Sequence, residues 1–544
     1  MSDVVVIGGG HNGLTCAAYL ARAGLEVTVV ERRDVLGGCG TSEATIPEAP
    51  EFTFNAGAFD LLGFTNQPVY RDLDLSRHGL ELLPNDPFFF MPFPDGSHVF
   101  IHRDPATTAE SIAAASPADA EAYLEYVAFW SELDELLGPF YVRPAPLPGR
   151  HTRIRLRNRR SVTSGARRAL ETLRIAGATV RSARAAEMLR VALMPARAYI
   201  TSQFESEQVR ALMAFFAMQT KTTLDQPGSV LAMTELVASH AAGVTRPRGG
   251  IGEVSKAIAR ALEAAGGTIV RDAHADGILV QGGRARGVRL ASGETIEARR
   301  AVVAAVSPQR VFLSLVEPQH LERTFRRRVE SLQNDDTAVI KAYYALDEAP
   351  LFSTCGDDGS SRAFRTASGM VCSSIASADA MWADIHAARL PATIGWMWCT
   401  LSTGLDSSMA PPGKHALGLH TWVPYQLAGG RSWDDAKEEM ALRMLDEYQR
   451  YAPNLGGKLL AWSARSPADW EAITDNPRGN NFHVDFVPHQ VFGFRPLPEL
   501  SDYRTPIDRL YLSGAGTHPG PAITGLPGHN TAQAVLEDLA AAAA

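Results

Sequence analysis

The chain has 544 residues, 45% of them hydrophobic, a formal net charge of −8 and five cysteines. That length allows two or three domains with large cores, and no apolar run approaches the roughly 18 to 20 residues needed to span a bilayer. Cys16, Cys39, Cys355, Cys372 and Cys399 are odd in number and lack C-x-x-C spacing, so neither a disulfide framework nor a zinc site is expected and no metal is assigned.

Val4 to Ile7 form a β-branched run that predicts a buried strand, and Gly8, Gly10 and Gly13 follow at G-x-G-x-x-G spacing. Gly8 allows the tight turn, Gly10 lets the backbone approach a pyrophosphate, and Gly13 lets the next helix lie close to the strand. That helix, from about Asn12 to Ala23, aims its amino-terminal amides at phosphate. Leu25 to Val30 predict a second strand ending in Glu31, an acid at the distance where a carboxylate accepts both ribose hydroxyls of an adenosine. It would repel a 2′-phosphate. Strand, glycines, helix, strand and acid in this order predict a dinucleotide-binding turn. Because the chain enters it without a basic region or apolar signal core, a cytoplasmic address is expected.

Further along, Phe88 to Phe93, Asp95-Gly96 and His98 to His102 predict a hairpin. Between Arg143 and Arg197 stand fourteen arginines against two glutamates, with leucines, isoleucine and valines interleaved. Such a segment could rest on an anionic membrane surface at the inner face of the membrane, or pair with acidic surface as a solvated helical lid. No recognition motif accompanies the arginines, so nucleic acid is not expected as a partner. Strands are expected at 275–280, 285–290, 295–298 and 301–305, and again near 337–344 and 416–423. No internal repeat is evident.

Arg32, Arg33 and Gly37-Gly38 just beyond the acid resemble the second fingerprint of the FAD-binding family that includes monoamine oxidases and phytoene desaturases. In that family an arginine usually follows the glycine pair; here Cys39, Gly40, Thr41 and Ser42 follow, a small-residue version that resembles carotenoid ketolase-like members. Two later stretches extend the likeness. Pro247-Arg248-Gly249-Gly250-Ile251-Gly252 leads back to the nucleotide domain, and Leu510 to Gly520 with Gly525 and Gly528 resembles the carboxyl-terminal signature of phytoene desaturases and carotenoid ketolases. Asn476 to His483 and Arg495-Pro496 look like the same branch.

The resemblance implies an α/β chain with a Rossmann-like FAD-binding domain of glutathione-reductase type and a mixed α+β substrate domain. FAD segments are expected at 1–80, 240–310 and 500–544, a helical substrate or lid segment at 81–239, and a mixed-sheet substrate segment at 311–499. The implied cofactor is FAD, held by Gly8, Gly10, Asn12, Gly13, Glu31, Arg32, Gly37, Gly38, Gly40, Thr41, Gly514, Ala515 and Gly525, with a backbone contact to the adenine near Gly277 or Ile278.

The expected chemistry is oxidation of an apolar small molecule, a polyene or other conjugated compound, by hydride transfer to flavin N5. His518, His483 and Asp485 are the candidate catalytic groups; each could instead order a loop. No second Rossmann fingerprint is present, which favours oxygen or a quinone over a nicotinamide as electron acceptor. Amine oxidation is the alternative, needing an aromatic pair that Trp396, Trp398, Trp422 or Tyr425 could supply. A flavin-binding scaffold without activity is the third reading.

Overall fold

In the computed structural model, residues 1–143, 183–354 and 361–543 are described; most of the arginine-rich stretch lies outside them. Two seven-stranded sheets organise the described residues. The first is built from distant parts of the chain. Its parallel half runs in the order Thr268–Val270, Val27–Val30, Ser2–Ile7, Thr295–Ala304 and Leu510–Leu512. Arg284–Leu290 and Ala275–Gln281 then add antiparallel to the early part of Thr295–Ala304. Where the sequence predicts two strands, at 295–298 and 301–305, the structure has one. Its first residues pair with the antiparallel ribbon and its last with Ser2–Ile7, so it joins both halves of the sheet.

The β-branched run works on both faces, as a sheet covered on both sides requires. Val4 and Val6 pack with Leu14, Val254, Ile258 and Val535, while Val5 and Ile7 pack with Val302, Ile278, Phe312 and Leu510. Helix His11–Arg22 lies on the first face, flanked by helices Gly252–Ala264 and Leu526–Ala543. Gly13 makes this possible, because a Cβ there would sit 2.1 Å from the carbonyl oxygen of Gly8.

The second sheet runs in the order Leu459–Arg465, Thr337–Leu346, His415–Pro424, Met397–Leu401, Ser368–Val371, Phe89–Pro92 and His98–Ile101. Only Ser368–Val371 and Phe89–Pro92 pair in parallel. The expected hairpin at 88–102 thus belongs to this sheet and not to a separate helical segment. Alternation splits its side chains. Ile340, Ala342, Tyr344, Leu417 and Leu419 face helix Trp433–Gln449, and Trp396, Trp398, Trp422 and Met370 face helices Glu207–Ala217 and Ile375–His386.

Candidate FAD and substrate site

A cleft opens along the carboxyl ends of the parallel strands, where ligands of open α/β sheets bind. Gly8, Gly10, Asn12, Gly13, Glu31, Arg32, Gly37, Gly38, Gly514 and Ala515 all line it. Helix His11–Arg22 begins at Gly10, which offers no side-chain cap, so its first-turn amides stay open to an anion in the cleft. Opposite, Gly37 donates its N–H to the carbonyl of Gly9 at 2.9 Å. Gly38 takes φ 62°, a left-handed conformation natural to glycine. A Cβ at Gly10 would meet nothing closer than Gly38 Cα at 4.0 Å; this is space for a ligand, not for a side chain.

Glu31 marks one end. Its Oε2 accepts the Gly9 N–H at 2.7 Å and its Oε1 the Arg33 N–H at 2.9 Å, and each oxygen keeps a lone pair for a ribose hydroxyl. Its backbone accepts the N–H of Ala273 and donates to Val270, which folds Ala273, His274 and Ala275 against the same end of the cleft. The expected adenine contact at Ile278 is therefore corrected. Ile278 is turned into the core and Gly277 lines a different groove. The chain reaches the cleft three residues earlier.

Three further expected cofactor residues stand behind the cleft wall. Gly40 packs on Ile523, and Thr41 donates to the carboxylate of Glu43. Gly525, at φ 70°, packs on Thr15 and Val69. They shape the turns behind the cleft and are not part of its lining. Arg310 and Asp475, not among the expected site residues, line the cleft as an ion pair at 2.7 Å; nothing in the spacing of residues so far apart announces it. His11 bonds the carbonyl of Ala522 through Nε2, a structural role.

Of the three catalytic candidates, only His483 lines the cleft. Burial, then the nearby Arg495 charge, pushes its pKa down to about 3, so the ring is neutral, and its Nδ1 is buried without a partner. Asp485 is not at the cleft. It pairs with Lys221 at 2.8 Å and accepts from Asn480 and the backbone of Asp335, a buried knot that orders its loop. His518 is 1% exposed and bonds the carbonyl of Phe140 through Nε2 at 2.7 Å. Burial holds its pKa at about 4. Both residues are corrected from catalytic to loop-ordering positions. Arg495 sets this region. Fully buried, it donates to the carbonyls of Phe482, Val484, Asp485, Gln490 and Ala515, and so clamps the 482–490 loop onto the turn that carries Ala515. Burial lowers its pKa to about 9.

Beyond Cys39 the cleft meets the second sheet. A Cβ on Gly57 would lie 2.1 Å from the carbonyl oxygen of Cys39, and the carbonyl of Gly57 accepts from Lys341 Nζ. Burial, with the Arg465 charge adding to it, drops the Lys341 pKa to about 7. Around it stands an aromatic wall. The rings of Trp396 and Trp422 stack at 4.8 Å and 17°, and those of Phe215 and Trp396 at 4.9 Å and 15°. Tyr425 is held elsewhere by Glu471.

The buried Asn12 Oδ1 and His483 Nδ1 without partners, the open helix amides and the empty space before Gly10 all fit a dinucleotide. Over residues 13–536 the chain matches the family described as flavin containing amine oxidoreductase. It is 32% identical to pyridine nucleotide-disulfide oxidoreductase domain-containing protein 2 of Rattus norvegicus, covering 99% of this chain and 94% of that protein. It is 27% identical to a subunit of the limonene dehydrogenase of Castellaniella defragrans, over 99% of this chain and 95% of that protein. Putrescine oxidase with bound putrescine shares the fold at TM-score 0.60 and 16% identity, covering 99% of both chains. The chain belongs to the flavin containing amine oxidoreductase family and is an FAD-dependent oxidoreductase.

Proposed function

We propose that this enzyme oxidises an apolar small molecule of isoprenoid or polyene type, as a dehydrogenase or desaturase. FAD supplies the hydride acceptor. The protein's own share is a dry, aromatic cavity that orients a C–H bond and excludes water. One observation carries the reading: the wall of Phe89, Phe215, Phe216, Trp396, Trp398 and Trp422 is buried and closely packed, and Phe59 joins it to Lys341. The amine reading needs two rings that admit a substrate between them. The stacked pair Trp396 and Trp422, 4.8 Å apart, leaves no such slot. The names of limonene dehydrogenase and phytoene desaturase among the relatives support an isoprenoid substrate.

We assign oxygen or a quinone as electron acceptor, and a peripheral site at the inner, cytoplasmic face of a membrane. Support for the second point is an exposed apolar strip. Leu189 and Leu193 are 63% and 57% exposed and flank Arg190. No helix among the described residues is long and apolar enough to cross a membrane. Anaerobic mixing of the holoenzyme with isoprenoid hydrocarbons and with primary amines of equal length tests the reaction. Bleaching of the flavin's visible band by the former supports it. Bleaching by the amines alone overturns it.

A further inference from the structure

Three neighbouring strands of the second sheet set Lys341, His420 and Trp398 in one row, because Lys341 pairs with His420 and His420 with Trp398. Residues paired across adjacent strands project to the same face, here the aromatic one. The ring of Phe59 lies 5.4 Å from that of His420 and 5.8 Å from that of Trp398, and Lys341 Nζ stands 4.8 Å above it. Trp396 closes the other side of His420 at 5.5 Å. His420 is only half-buried although its strand is central in the sheet.

In this apolar wall the polar atoms are not matched. Trp396 donates its indole N–H to the carbonyl of Phe215, and Trp422 donates to Met218. The Nε1–H of Trp398 and the Nδ1 of His420 are buried with no partner, and Lys341 Nζ donates to the carbonyl of Gly57 with two further hydrogens available. Buried polar groups are ordinarily satisfied, and those that are not call for an explanation. Here a group from outside the protein supplies one. It must accept hydrogen bonds. An ammonium would meet Trp398 and Lys341 donor to donor, and a bare hydrocarbon would leave both unsatisfied.

We propose that the Lys341–His420–Trp398 row is a polar subsite of the substrate cavity, and that it takes an accepting oxygen carried by an otherwise apolar molecule. The substrate class is then an oxygenated lipid or terpenoid. This rests on the apolar-substrate reading above and narrows it. A site built around buried donors discriminates strongly against an analogue that lacks the acceptor.

Holoenzyme is titrated with three probes of equal length, dodecane, decyl methyl ketone and dodecylamine, following the shift of the flavin's visible spectrum and the heat of binding. The ketone should bind about tenfold tighter than the alkane, and Trp398→Phe, which keeps a ring and removes the donor, should erase most of that advantage. His420→Phe gives a second test should the first variant fold poorly. Equal binding of ketone and alkane, indifference of the ketone to both variants, or no binding of any probe overturns the oxygen subsite while leaving apolar oxidation standing. Tightest binding of dodecylamine, with flavin bleaching, overturns both.

Discussion

Gly10 and Gly38 face each other across the cleft, and a Cβ built on Gly10 would approach nothing closer than the Gly38 Cα at 4.0 Å. Because the φ of Gly10 is −68°, any residue can adopt its backbone conformation. Gly10→Val should therefore fold like the wild type yet lose FAD, its side chain standing where the pyrophosphate belongs. Gly13→Val should instead fail to fold, since the added carbon would collide with the carbonyl of Gly8 at 2.1 Å. Flavin content of the purified variants, read beside their circular dichroism, separates the two. A yellow, flavin-replete Gly10→Val protein would refute the cleft assignment.

Glu31 joins turn and ligand, so its loss should be felt in both. Glu31→Ala removes the acceptor of the Gly9 and Arg33 amides as well as the contact with the ribose. Hydrogen bonds to a charged group contribute about 1.5 to 3 kcal/mol each, so FAD affinity should fall at least tenfold. Reconstitution of apoprotein with FAD under fluorescence detection measures it. Unchanged affinity would place the adenosine elsewhere.

How much of the fold and site is legible in the sequence follows from how local each signal is. Gly8, Gly10, Gly13 and Glu31 act within one strand–turn–helix–strand unit, and their spacing is itself the chemistry. The expectation at Ile278 falls too far along because the backbone bond from Ala273 to Glu31, which brings the chain to the cleft early, leaves no mark in composition. His518 and Asp485 stand among glycines and polar residues that do resemble a site. Their partners, the carbonyl of Phe140 and the ammonium of Lys221, lie far away in the chain. Lys341 carries no signal in the sequence that sets it apart, and only the register with His420 and Trp398 reveals a row.

The Lys221 and Asp485 pair tests the loop-ordering role. Both side chains are almost fully buried, and removing one partner of such a pair costs about 3 to 5 kcal/mol because the other charge is stranded. Lys221→Met should unfold several degrees below the wild type. Asp485→Asn, which leaves Lys221 near Asp335 at 3.7 Å, should cost less and keep the rate of flavin reduction within a few-fold. A collapse of that rate with FAD still bound would return Asp485 to the catalytic machinery.

His518 makes the fold sensitive to acid. Burial lowers its pKa from 6.5 to about 4, against the smaller opposing effect of its bond to Phe140. Between those values the unfolded chain binds a proton that the folded chain refuses. Stability is therefore complete above about pH 6.5 and is lost as the pH falls toward 4, at about 1.4 kcal/mol per pH unit and roughly 3 kcal/mol in all from this residue. His518→Gln keeps a donor for the Phe140 carbonyl without a titrating ring. Urea unfolding of the apoprotein at a series of pH values should then give a shallower acid slope for the variant than for the wild type. Parallel slopes would mean that His518 is protonated in the folded protein, in which case its ring must reach a counter-charge or solvent.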